Sequence, residues 1–132
     1  MNVEKLFEGI FIYEDSDTGL YLDSFVMEEV NCAWGHFKKD GEPVGVVYFD
    51  YLDDKDTLLF KEINLAEYSG NGVLTRFANH VGNAAKENEV KYISFTVYNG
   101  AITVAARNGM KENNQHDQGN MIIDMKKWNN AN

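Results

Sequence analysis

Cysteine is nearly absent: Cys32 is the only one in 132 residues, which excludes an intrachain disulfide. Its setting, Cys32-Ala33-Trp34, makes a small buried thiol the expected role. Long apolar runs are missing too. No stretch approaches the ~18 residues of a membrane span, and the opening Met1-Asn2-Val3-Glu4-Lys5 lacks the basic start and apolar run of a secretion signal. A cytoplasmic protein with no membrane role is the expectation. Basic residues are scarce, with 12 Lys and Arg against 21 Asp and Glu and a formal net charge of −9. That field repels phosphate backbones and argues against nucleic-acid binding. It would attract a basic partner such as a lysine-rich protein, a polyamine or an aminoglycoside, or simply keep the chain in solution. There is no repeat, basic cluster or linker, and the one polar tail is Asn129 to Asn132. What remains is 44% hydrophobic, enough for one core, so residues 1–132 are expected to form a single domain.

Hydrophobic periodicity predicts the elements. Gly9 to Tyr13 is β-branched and aromatic and precedes the turn Asp15-Ser16-Asp17-Thr18-Gly19, which predicts a first strand. Leu22, Phe25, Val26 and Val30 fall at helical spacing and predict a helix. Ala33 to Lys38 and Val44 to Tyr51 predict a hairpin turning at Asp40-Gly41. Thr57 to Leu65 predicts a third strand after the acidic turn at Asp53 to Asp56. Val73, Leu74, Phe77, Val81, Ala84 and Ala85 predict a helix of about four turns ending near Asn88. Lys91 to Val97 alternates as a strand, Ala101 to Asn108 predicts a helix closed by Gly109, and Lys111 to His116 with Met121 to Lys127 predicts a C-terminal hairpin. That hairpin would leave an edge able to pair in a homodimer.

His36, His80 and His116 are far apart and lack metal-site spacing, and the aspartates of Asp50 to Asp56 lack the glycine and terminal glutamate of a calcium loop, so no metal is expected. Trp34 and Trp128 are expected to anchor the core or an edge. The more telling feature is Tyr68-Ser69-Gly70-Asn71-Gly72, a glycine loop that feeds a helix. The first amides of a helix are unpaired and its dipole favours negative charge, so such a junction suits a phosphate. Neither a Walker lysine nor a third spaced glycine is present, which excludes a P-loop and a Rossmann fingerprint.

The segment Ser69-Gly70-Asn71-Gly72-Val73-Leu74 resembles the R-G-x-G-[I/V]-[G/A] loop of the GNAT N-acetyltransferases. Ala66-Glu67-Tyr68 before it, and Val97-Tyr98-Asn99-Gly100-Ala101-Ile102 and Asn108-Gly109-Met110 after it, extend the likeness from about Ala33 to Lys127. The resemblance implies an α/β (α+β) fold: a mixed twisted sheet with a splayed central strand pair and flanking helices. It implies acetyl-coenzyme A held by Ile63, Asn64 and Leu65 along the pantetheine, by the amides of Ser69, Gly70, Asn71, Gly72, Val73 and Leu74 at the pyrophosphate, and by Asn99. It implies acetyl transfer to a primary amine of a protein or small acceptor, with Glu62 and Tyr98 as the nearest candidates for the proton-handling groups. On the residues alone, Glu62 fits an exposed ion-pair partner as well as a base, and Tyr98 fits a packed rim as well as a cleft. The loop carries Ser69 where the family has Arg or Gln and Leu74 where it has a small residue, and Ala105 stands where many members have a tyrosine. Those departures motivate the alternative, an acidic GNAT-fold module that binds or regulates without catalysis.

Overall fold

The computed structural model describes residues 1–65, 68, 71–96, 114–117 and 120–128. Their elements are α1 (Val3–Ile10), β1 (Tyr13–Glu14), β2 (Tyr21–Leu22), β3 (Val26–Glu29), β4 (Cys32–Lys39), β5 (Glu42–Leu52), β6 (Thr57–Asn64), α2 (Val73–Glu87), β7 (Tyr92–Thr96), β8 (Asn114–Asp117) and β9 (Asn120–Asp124). The strands form one mixed sheet in the order β1-β2-β4-β5-β6-β7-β9-β8, with β3 paired to β4 off that path.

Two expectations near the N-terminus are overturned. Gly9 to Tyr13 is not a strand: Asn2 caps α1 by accepting from the Lys5 amide at 3.0 Å, and Leu6, Phe7 and Ile10 lie fully buried on its inner face. A cap and a 3.6-residue stripe outweigh the β preference of Ile10 to Tyr13, and only Tyr13–Glu14 of that segment is strand. Nor is 22–30 a helix. Val26 and Val30 point to solvent, while Val26 and Met27 pair with Trp34 and Ala33 across a tight connection to β4. The spacing matched a helix by coincidence, since the backbone bonds of this segment are satisfied between strands.

Elsewhere the pattern held. The β4–β5 hairpin turns at Asp40 (φ 52°) and Gly41 (φ 83°), the pair of positive dihedrals that an Asp-Gly turn supplies. α2 ends at a cap on Asn88. β8 and β9 pair antiparallel from Asn114–Ile123 to Asp117–Asn120 as the C-terminal hairpin, and β9 gives way to a 3-10 turn at Met125–Lys127. The expected helix at 101–108 lies outside the described residues.

The two described α-helices share one face of the sheet. Ala33, Phe37, Val47, Phe49, Leu58, Phe60, Ile93 and Phe95 turn inward and meet Leu6, Phe7, Ile10, Val73, Phe77 and Val81 in one core. Phe77 is its hub, with ring contacts to Tyr13, Phe37, Phe49 and Phe60 at 4.9–6.4 Å. Trp128 closes the far end. Its indole packs on Gly82, where a Cβ would strike the ring, and its Nε1 donates to Asn83 Oδ1 at 2.8 Å.

Candidate functional site

The site grows out of one irregularity in β6. Tyr48 pairs with Glu62 but Phe49 pairs with Phe60, so Lys61 is an extra residue, a β-bulge. The bulge switches the alternation: Phe60 and Ile63, three apart, both face the core, while Glu62 is exposed on the opposite face beside Tyr48. It also coincides with the end of a ladder. β6 and β7 are parallel neighbours only from Thr57–Tyr92 to Phe60–Phe95, whereas β6 runs on to Asn64 held by β5 alone among its described pairings. Among the described residues the β6–β7 pairing thus reaches as far as Phe60–Phe95, at the edge of the bulge.

Past that point the chain reaches α2. Gly72 is the N-cap with φ 77°, a left-handed conformation costly for residues with a side chain. Its carbonyl accepts the first helical bond, from Arg76 N at 3.1 Å, and it has no side chain to cap the amides of Val73, Leu74 and Thr75. Those donors start the helix without an intrahelical partner. Val73 is buried, and the partly buried Leu74 side chain packs against the core. Asn71 and Gly72 are exposed.

Sequence reading missed the cation here. Arg76 folds back over the loop: a Cβ on Gly72 would sit 2.7 Å from Arg76 Nη1, and Nη2 donates to the Asn71 carbonyl at 3.1 Å. The guanidinium is oriented by Asp15, which accepts Nε at 2.5 Å and Nη2 at 3.0 Å. Asp15 is almost wholly buried and also accepts from the Thr18 amide and hydroxyl and from the Tyr13 hydroxyl. Hydrogen bonds from Arg76, set against burial, hold its carboxyl down at about 2. Burial and the same carboxylate push the Tyr13 phenol up, and burial pushes His80, which donates to the Ile10 carbonyl at 3.0 Å, down. The sequence signal was an arginine one turn after the second loop glycine.

Of the residues expected at the site, Glu62, Ile63, Asn64 and Leu65 stand on or just beyond the C-terminal end of β6, and Asn71, Gly72, Val73 and Leu74 lie at the start of α2. Ser69, Gly70, Tyr98 and Asn99 lie outside the described residues. Cys32 is half-buried, and a hydrogen bond with Asp50 and desolvation raise its thiol to about 11. A separate cavity of about 410 Å³, lined by Lys86, Lys91, Tyr92 and Lys126 among others, lies at the other end of α2. Among the described residues no cluster of His, Cys, Asp or Glu has the makings of a metal site, and no helix is long and apolar enough to cross a membrane.

No protein-family model matches the sequence, and no curated protein matches it either. Solved structures do. Tetrahymena GCN5 superposes with a TM-score of 0.57 at 15% identity, over 78% of this chain and 74% of that one. The GNAT domain of S. lividans PAT gives 0.53 at 14% identity, over 92% and 83%. The chain has the GNAT fold. A GNAT-family acetyltransferase from Staphylococcus aureus Mu50 aligns over 71% of this chain and 68% of its own, at 0.50 and 13% identity.

Proposed function

We propose that the protein is an N-acetyltransferase that takes its acetyl group from acetyl-coenzyme A and passes it to a primary amine. The observation that carries this reading is the start of α2 at Gly72, which no side chain caps, with the Arg76 guanidinium folded over it. Residues 63–65, at the end of β6, run alongside the pantetheine. The amides following Gly72 meet the pyrophosphate, with Arg76 adding the positive charge that Ser69 and Asn71 lack. The donor supplies an activated acyl thioester. An amine must be neutral to attack its carbonyl carbon, so a group on the protein has to accept the ammonium proton. Glu62 is exposed at the first residue beyond the bulge and is the described carboxylate best placed to take it. The amine nitrogen then bonds to the carbonyl carbon, the C–S bond breaks, and the nitrogen's second proton passes to solvent as the amide forms. With Ala105 in place of a tyrosine, the sulfur leaves as a thiolate, which a thiol pKa near ~8.5 permits. The net charge of −9 favours a cationic acceptor.

The test is purified protein with acetyl-coenzyme A and a panel of a polyamine, an aminoglycoside and a lysine-rich peptide. Release of the free thiol and a gain of one acetyl group on one acceptor are expected. Tight cofactor binding with no transfer to any amine would instead support an acidic binding module.

A further inference from the structure

The two edges of the Arg76 guanidinium are held very differently. Nε and Nη2 grip Asp15, whose side chain is 1% exposed and which is tied to Thr18 and Tyr13. Nη1 meets Asp17 at 3.3 Å, and that carboxylate is 68% exposed. The gripped edge is expensive to release, because freeing it strands a buried carboxylate. The other edge is a surface ion pair, worth little and readily exchanged. It too lies over the loop: Nη1 is the atom that a Cβ on Gly72 would meet, beside Nη2, which donates to the Asn71 carbonyl.

We propose that Asp17 is an internal competitor for the cofactor's phosphates: an arriving pyrophosphate takes Nη1 from Asp17, while Asp15 keeps the guanidinium aimed at the loop. The inference rests on the acetyl-coenzyme A reading above and adds to it a regulating residue outside the loop. Arg76 thus serves as a pre-oriented cation whose free-state partner is the carboxylate two residues along from its anchor. No covalent step is involved, only exchange of one anion for another on one donor edge.

The discriminating experiment is calorimetric titration of acetyl-coenzyme A into the parent protein, Asp17→Asn and Asp23→Asn at low ionic strength. Asp23 is an exposed carboxylate paired with Lys38 rather than with Arg76, so its variant removes the same unit of charge without breaking an Arg76 contact. Asp17→Asn is expected to tighten binding about two- to fivefold, the value of an exposed ion pair, with Asp23→Asn unchanged. Arg76→Lys, which keeps the charge but loses the fork on Asp15, should weaken binding. Equal tightening by both Asp variants would reduce the effect to overall charge, and an unchanged Asp17→Asn would remove the competition; either overturns the proposal while leaving the cofactor reading intact. A parent protein that does not bind at all removes both.

Discussion

Replacing Asp15 with Asn keeps the shape of a buried side chain and deletes its charge. In the native protein this carboxylate accepts from Arg76, Thr18 and Tyr13, and its pKa falls from 3.8 to about 2. That fall corresponds to stability on the order of 2 kcal/mol. The amide also turns a donor toward a site lined with donors, which adds to the loss. Because the folded pKa is depressed, the contribution is fully present above the ordinary carboxylate pKa near 4 and disappears as pH falls through about 2. Urea unfolding of parent and variant at pH 7, 5, 3 and 2.5 should therefore show a midpoint lower by about 1–2.5 M in the variant at the two higher pH values. The gap should shrink by more than half at pH 2.5. A gap that stays constant with pH, or one below about 0.5 kcal/mol at pH 7, would refute the claim that Asp15 anchors Arg76 as an ionised partner.

Glu62→Gln should lower kcat for acetyl transfer by about 10²-fold or more while leaving acetyl-coenzyme A affinity unchanged, as steady-state kinetics beside calorimetry will show. With its thiol raised to about 11, Cys32 should react slowly with iodoacetamide at pH 8. Asp50→Asn removes the main cause and frees Lys61, so alkylation should speed up roughly tenfold. Gly82→Ala should lower the Tm although alanine is the better helix former by about 1 kcal/mol, because overpacking against Trp128 costs about 1–3 kcal/mol; a higher Tm would show that the indole can move aside.

What was legible in the sequence was what local chemistry decides. The Asp40-Gly41 turn needs two positive dihedrals and has the residues for them, and α2 carries its stripe over fifteen residues with a glycine at one end and Asn88 at the other. Short segments misled. α1 is eight residues long, and its Asn2 cap is a weaker signal than the aromatic β-branched run that overlaps its end; the 22–30 segment is strand only because β4 is there to pair with it. The site was legible as far as the glycine loop reaches. The bulge at Lys61 follows from the register of β5 against β6, which no local pattern encodes. Arg76 and Asp15 are 61 residues apart, and only folding brings the carboxylate to the arginine and the arginine to the loop.

The central claim is that a phosphate-bearing acyl donor binds where β6 ends and α2 begins. Amide shift mapping by NMR, with acetyl-coenzyme A titrated into ¹⁵N-labelled protein, tests it most directly. The account predicts saturable shifts concentrated at Ile63 to Leu65 and Asn71 to Leu74, with a change at the Arg76 side chain. Shifts confined to the lysine-lined cavity around Lys86, Lys91 and Lys126, or none at millimolar ligand, would contradict it.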